Sequence, residues 1–373
     1  MARLEPRTGR PPSPTRVIID IRPMQEPERT PITADYLASL LQAFAADPLA
    51  GESFVVLSRA LRADPTHQLA ERGLPVADRR TLPATSRVFR SAGLTLDSFL
   101  LRAAEIGTAA GSTAGSTARR PTVFHTAGGA VPLASRVPVV ATLLDLAPWE
   151  LPDRYAAGVA ARFGHRLRAR ILHDAARVIV CSAATAESAR RRLHLPRERI
   201  AVVPLAVEDA FRSAGRDRDR QAELRQRLRL PPRYLVFSGH YDARKDTPTL
   251  FAALHHLGTP ADPPRLVWAG PFDSAEDRAT VAAAVDRSGA RRFVHVAPML
   301  SAPDRAAILG GAIALVYPAL SEATGQAVLE AHSLGVPVIA SRAGALPELV
   351  GSAGIVVEPR DARRLAAALS ALW

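Results

Sequence analysis

An α/β fold of two doubly wound parallel-sheet domains is what this sequence predicts, on three observations. Short β-branched runs recur between helix-length amphipathic segments along most of the chain. The runs are continuously apolar rather than alternating, as parallel strands covered by helices on both faces should be. At 373 residues the chain is too long for one small core and suits two domains of ordinary size.

The elements follow in order. In the first half the strand candidates are RVIID (16–20), SFVVLS (53–58), TVFHT (122–126), PVVATLLDL (138–146), ARVIVCS (176–182) and IAVVPL (200–205). The second half repeats the rhythm with RYLVFSG (233–239), RLVWAG (265–270), RFVHVAP (292–298), AIALVYPA (312–319), PVIAS (337–341) and AGIVVEP (353–359). Strand–helix alternation implies right-handed crossovers, so two sets of six strands read as two Rossmann-like domains in tandem. Residues 1–15, rich in Pro and Arg, read as a disordered basic tail, and 16–205 as the first domain. The charge-dense stretch 206–230 reads as a linker and a solvated helix, with the second domain over 231–373. The Gly/Ser/Thr segment 107–120 reads as a flexible loop.

Composition excludes several classes. Hydrophobic content of 47% with 23% charged residues is that of a globular protein rather than a disordered one. No apolar run approaches the roughly 18 to 20 residues that span a bilayer. The apolar VIIDI after the basic N-terminus is too short for a signal-peptide core. Cys181 is the only cysteine, so no intrachain disulfide forms, and a cytoplasmic location is expected. The net charge of +12 comes almost wholly from arginine, since Lys245 is the sole lysine. No basic–aromatic interleaving, zinc-ligand spacing or helix-turn-helix accompanies that charge, which argues against a nucleic-acid partner. The Arg-rich segment 154–170 is a candidate contact with anionic lipid at the inner face of the membrane, although a solvated helix face explains it too. No Ser-His-Asp order, CxxC or HExxH pattern supports a protease or a zinc hydrolase.

The chemistry concentrates in SEATGQAVLEAHSLG (321–335). This stretch follows a strand, so it lies at the carboxyl end of a sheet, where ligands bind in open α/β folds. Gly325 opens a helix whose unpaired N–H groups and positive dipole end suit a pyrophosphate. Glu330, a little over one turn on, is placed near Gly325 and Gln326, where a carboxylate can take hydrogen bonds from ribose hydroxyls. Glu322, in the loop, is placed for hydroxyls beyond the phosphates. A surface Glu plus a helix-start Glu favoured by the dipole would explain the spacing equally well. A second segment tips the balance. After YLVFSG comes HYDARKDTPTL, in which Arg244 and Lys245 stand together before a Thr-Pro helix start. Arg through its fork and Lys as a point charge can neutralise a diphosphate leaving group.

With these motifs in hand, residues 233–359 resemble the nucleotide-sugar-binding domain of the retaining glycosyltransferases of family 4, also called group 1. Glu322 and Glu330 match the E-x7-E signature, RKD (244–246) matches an RKN-like element, and GVPVIASRAGALPELVGSAGIVVEP continues the pattern. A weaker resemblance covers residues 122–211. It implies the GT-B fold, two Rossmann-like domains with a cleft between them. It also implies sugar transfer from a GDP- or UDP-linked donor with retention, without cofactor or required metal, to a saccharide or lipid-linked acceptor. By that resemblance Arg244 and Lys245 hold the pyrophosphate, Glu330 the ribose and Glu322 the donor sugar, with Gly325 and Gln326 near the phosphates. Asp145 carries over from a His-Asp pair of the catalytic centre.

The departures are specific. Leu144 replaces the histidine of that pair, Ala323-Thr324 replaces a common Gly-Phe, and RPMQEPERTPITADY replaces a Gly-rich loop after the first strand. His240 stands where some members have arginine. His125 is a candidate cleft residue, with a packed loop histidine as the bland alternative. Ser182 and Thr185 read as helix caps close to donor-side contacts. The expected activity is transfer of a mannosyl- or glucosyl-type hexose in polysaccharide or glycolipid assembly. A catalytically silent nucleotide-sugar-binding paralogue and a nucleotide-sugar epimerase on the same fold are the alternatives.

Overall fold

The computed structural model describes residues 15–27, 30–60, 62–82, 98–103, 121–128, 131–156, 158–258, 262–272 and 274–373. The expected tail, apart from Thr15, and the segment 107–120 lie outside the described residues. Those residues gather into two compact units. One draws on the described residues within 15–144, 158–179 and 195–200, the other on those within 145–156, 180–194 and 201–373.

The first sheet contains β1 (Arg16–Asp20), β2 (Ser53–Arg59), β3 (Val76–Leu82), β4 (Thr122–Ala127), β5 (Val139–Thr142), β6 (Arg177–Val180) and β7 (Ile200–Val202), in the order β3-β2-β1-β4-β5-β6-β7. It therefore has seven strands where the sequence suggested six. The additional one, β3, is an edge strand of sequence VADRRTL, only partly buried. With Asp78, Arg79 and Arg80 on it, this edge strand carries no apolar run.

The second sheet contains β8 (Leu235–Phe237), β9 (Leu266–Trp268), β10 (Val294–Val296), β11 (Leu315–Tyr317), β12 (Val338–Ser341) and β13 (Gly354–Val357), in the order β10-β9-β8-β11-β12-β13. All six match apolar runs read from the sequence. Every strand pair with a defined register, in both sheets, is parallel. Successive residues of a strand point to opposite faces. Val236, Val267, Leu315 and Val338 pack on one side of the second sheet against Val328, Ala331 and Leu346. Leu235, Phe237, Trp268, Val316 and Ile339 pack on the other against Leu250, Leu254, Leu365 and Leu369. Both faces are covered, which is why these strands read as unbroken apolar runs.

Residues 206–230 hold two helices, Asp209–Arg216 and Arg218–Arg227, which are largely exposed but seat Gly215, Gln221 and Leu224 inward. A Cβ on Gly310 would collide with the Gly215 carbonyl, so the helix Ala302–Gly310 makes its close approach through glycine. After β1, the segment that replaces a Gly-rich loop forms a short helix, Arg22–Gln25, and then the helix Pro31–Ala46. The buried Arg22 guanidinium closes on the Asp20 carboxylate with Nε–Oδ1 and Nη2–Oδ2 at 2.9 Å.

Candidate functional site

In the second sheet β8 and β11 are neighbours, and the chain proceeds from them in opposite directions, to β9 and β10 on one side and to β12 and β13 on the other. This is a topological switch point, and ligands bind outside the carboxyl ends of the two strands that flank it. The two segments singled out from the sequence leave those two strands: 238–246 follows β8, and 318–325 follows β11.

The loop after β11 is built around Glu322. Gly325, at φ 60° and ψ 28°, caps the helix Gln326–Ser333 in the left-handed region. A Cβ there would strike Leu349 Cδ1, so both conformation and space call for glycine. Glu322 Oε1 accepts from the Gly325 N–H at 3.0 Å, the Thr324 N–H at 3.2 Å and the Thr324 hydroxyl at 3.0 Å. The Glu322 carbonyl accepts from the Ala345 N–H at 2.8 Å, and Gly344, at φ 50°, leaves room for it.

Oε2 of the same carboxylate faces the sole lysine. Lys245 Nζ donates to it at 2.7 Å and the Tyr317 hydroxyl donates at 3.0 Å. Lys245 also donates to the Tyr317 hydroxyl and lies 4.1 Å from the ring centroid. All three side chains are buried, with Glu322 only 6% exposed. Burial alone would raise the Glu322 carboxyl, but the Lys245 ammonium and the Gly325 N–H outweigh it and hold the group well below the usual carboxylate range. Burial and the Glu322 charge push the Tyr317 phenol far above its ordinary value, keeping it a donor. With five donors on two oxygens, Glu322 has no acceptor site to spare. Glu322, the residue that the resemblance sets against the donor sugar, here fixes Lys245 and the Gly325 turn.

Arg244 and Lys245 lie on a 3-10 turn, Ala243–Lys245, capped by Asp242. Asp242 Oδ1 accepts from the Arg244 N–H at 2.7 Å and from its Nε at 3.1 Å. Asp145 Oδ1 lies 3.3 Å from Arg244 Nη1 and also accepts from the Ala147 N–H at 2.8 Å. Burial opposes the Arg244 charge, but Asp145 and Asp242 outweigh it and secure the guanidinium. The Tyr155 hydroxyl donates to Asp242 at 2.5 Å, and burial with that bond raises the phenol. The Arg244 carbonyl accepts from the Leu320 N–H at 2.6 Å, tying the turn after β8 to the loop after β11. All these residues belong to the second compact unit.

Gln326, Glu330, Ser182 and His240 belong to the same compact unit as this core, and His125 does not. Gln326 and Glu330 stand one turn apart on the helix, with Gln326 Nε2 3.4 Å from Glu330 Oε1, both half-buried. Ser182 caps the helix Ala183–Leu193 as read, accepting from the Thr185 N–H at 3.0 Å, and Thr185 donates to the Ala323 carbonyl at 2.9 Å. His240 follows Gly239 beyond β8 and is half-buried. His125 lies elsewhere, inside the first sheet on β4, with Nε2 3.1 Å from the Thr142 hydroxyl on β5. Burial drops its pKa to about 4, so it is a neutral packed histidine at ordinary pH. Leu144 is a core residue.

Sequence reasoning missed Tyr317, Asp242 and Tyr155, and it missed two further carboxylates. Glu150 accepts from Ser188 at 2.5 Å and Ser321 at 2.6 Å, and Glu348 accepts from the Ala183 and Ala184 N–H groups at 3.1 and 2.9 Å. The PELV pattern around Glu348 was the only local signal available. Among the described residues no group of three or more His, Cys, Asp or Glu is arranged to hold a metal ion.

Residues 36–211 match the family described as Glycosyltransferase Family 4, and residues 232–373 match the family described as Glycosyl transferases group 1. The chain belongs to the group 1 glycosyltransferases. Sucrose-phosphate synthase from Thermosynechococcus elongatus superposes on this glycosyltransferase with a TM-score of 0.67 at 20% identity, over 96% of this chain and 89% of that one. HepE of Anabaena in complex with UDP-glucose gives 0.59 at 16% identity, over 95% and 89%. These likenesses concern the fold, and two parallel-sheet α/β units of seven and six strands are the GT-B architecture. The MMP alpha-(1->4)-mannosyltransferase of Mycolicibacterium hassiacum is 40% identical over 87 residues, which are 22% of this chain and 21% of that protein. The matched stretches of the curated relatives reach no more than about a fifth of their length.

Proposed function

We propose that this glycosyltransferase moves a hexosyl group of mannosyl or glucosyl type from a GDP- or UDP-linked sugar to a polysaccharide or glycolipid acceptor, with retention and without a metal. One observation carries the reading. Two fixed cations, Arg244 and Lys245, meet the glycine-opened helix Gln326–Ser333 at the switch point of the second sheet. The mannosyltransferase relative and the neighbour that holds UDP-glucose support the donor class.

The residues divide the work as follows. An ammonium has three N–H donors, and Glu322 with Tyr317 occupy two of those on Lys245, leaving one for a phosphate oxygen. A guanidinium has five, and Asp242 with Asp145 occupy two of those on Arg244. The N–H groups of the Gly325 turn and the helix dipole add partial positive charge. Glu330 accepts the ribose hydroxyls and Gln326 lies beside the phosphates. As the bond from the anomeric carbon to the phosphate oxygen breaks, its electron pair passes to the diphosphate, whose growing charge these prearranged donors stabilise. The acceptor hydroxyl adds on the face the phosphate leaves, and its proton goes to the departing phosphate oxygen. Glu322 is a positioning residue in this scheme, acting through Lys245.

The acceptor side carries a further expectation. Val159, Arg162, Phe163, Arg166 and Arg170 lie on one helical face of Val159–Asp174 and are exposed, Val159 by 77% and Phe163 by 59%. A basic face with two apolar side chains suits peripheral contact with anionic lipid. Among the described residues no helix is long and apolar enough to cross a membrane.

The test is turnover of GDP-mannose and UDP-glucose with saccharide and lipid-linked acceptors, with and without EDTA. The reading expects one donor to yield free nucleotide diphosphate and a product of unchanged anomeric configuration, at the same rate in EDTA. An inverted product, or activity abolished by EDTA, would overturn the mechanism.

A further inference from the structure

Away from the donor loops, at the open edge of the second sheet, a cavity of about 550 Å³ is lined by Arg229, Arg265, Arg278, Arg291, Arg292 and His295, and none of its lining residues is acidic. Arg265 and Arg292 stand just before β9 and β10, and Pro231, also at the wall, precedes β8. The cavity therefore runs from the amino ends of these strands along the edge strand β10, whose Val294, His295 and Val296 also line it, and none of its lining residues comes from the loops that carry Lys245 and Gly325.

Arginine abounds in this chain, so the cluster has to be weighed against simple composition. Elsewhere on the surface some arginines donate to backbone carbonyls, as Arg192 does to Trp149 and Arg216 to Ser333, and others meet carboxylates, as in Arg190–Glu187, Arg227–Glu223 and Arg342–Glu358. Of the five at the cavity only Arg291 does so, with both oxygens of Asp286 at 2.8 and 2.9 Å. Backbone carbonyls orient three others. Arg265 Nη1 donates to the Arg292 carbonyl at 2.6 Å, Arg278 Nε to the Ala297 carbonyl at 2.7 Å, and Arg292 Nη2 to the Gly258 carbonyl at 3.3 Å. Carbonyls fix the forks without neutralising them, so five guanidinium charges face one carboxylate. Burial first, and then the Arg278 charge, hold the His295 imidazole below its ordinary pKa.

We propose that this cavity is a second anion site, for a small organic molecule carrying two or more phosphate groups. Guanidinium forks match phosphate oxygens bidentately, and the volume is that of a metabolite pocket rather than of a flat electrostatic patch. The chemistry shared with a phospholipid headgroup is the phosphate itself, and concavity favours the soluble molecule. The site does not depend on the donor assignment.

The probe is fructose 1,6-bisphosphate, titrated calorimetrically into the full chain, with the His295 ring signals followed by NMR. Saturable binding is expected, with those signals shifting at the same concentrations. Arg265→Gln/Arg292→Gln should weaken binding at least tenfold at an unchanged circular dichroism spectrum, and Lys245→Ala should leave it intact. Arg265→Lys/Arg292→Lys, which keeps charge but loses the forks, should fall between. Absence of saturable binding, or binding lost in Lys245→Ala and kept in the Gln pair, overturns the proposal. So does an outcome in which anionic phosphatidylglycerol vesicles depend on the Arg pair while the bisphosphate does not bind.

Discussion

Replacing Glu322 by glutamine keeps the shape of a buried side chain and removes its charge. The five donors on the carboxylate come from Lys245, Tyr317, Thr324 twice and Gly325. A glutamine amide has one oxygen and one NH2 group, so whichever way it turns, its own N–H bonds face donors. Lys245 is left as a buried ammonium without its counter-charge. Removing one partner of a buried ion pair costs roughly 3–5 kcal/mol. For a unit of this size each kcal/mol lowers the melting temperature by about 2–4 °C, so the second unit should melt roughly 6–20 °C lower. Differential scanning calorimetry reads this directly. The double variant Glu322→Gln/Lys245→Met removes both charges and should recover part of the loss, a coupling of about 0.5–3 kcal/mol. Acid adds a second readout. Because the folded Glu322 pKa is depressed, its contribution is present above the unfolded value near 4.3 and fades as pH falls below it. The glutamine variant should lack that share of the acid slope. A Glu322→Gln protein melting within about 2 °C of wild type, or a double variant as destabilised as the sum of its singles, would refute the reasoning.

Gly325→Ala forces a left-handed conformation and a collision with Leu349, at about 1–3 kcal/mol. It should lower the melting temperature and weaken nucleotide binding, whereas Gly335→Ala, also at positive φ but with open space around it, should show only the backbone part. Arg244→Lys keeps the charge but cannot span Asp145 and Asp242 with a planar fork, so kcat/KM should fall at least tenfold with little change in melting. His125, with its pKa lowered to about 4, binds its proton less readily folded than unfolded. Its stabilising share is therefore full above about 6.5 and lost as pH falls toward 4, and His125→Gln should flatten that part of the first unit's stability profile.

The strands of the second sheet were legible because each is covered on both faces and writes an unbroken apolar run. The β3 strand was not, because an edge strand with Asp78, Arg79 and Arg80 on it carries no such run. At the site, Gly325 and Lys245 were readable since a helix mouth and a lone lysine are local features. The surroundings of Glu322 were not readable because its partners Lys245 and Tyr317 come from 77 and 5 residues away, and only the fold shows that its oxygens are saturated. Asp242, Tyr155 and Glu150 are ordinary residues in sequence and gain meaning only through distant contacts, Tyr155 to Asp242 across 87 positions and Glu150 to Ser321 across 171.

The central claim is that Lys245, held by Glu322 and Tyr317, receives the donor diphosphate beside Glu330. Calorimetric titration with UDP, GDP and ADP, on wild type and on Lys245→Ala and Glu330→Gln, tests it most directly, with circular dichroism showing each variant folded. The account predicts saturable binding of one nucleotide, weakened at least tenfold in both variants. Folded wild-type protein that binds none of the three, or binding unchanged in both variants, would contradict it.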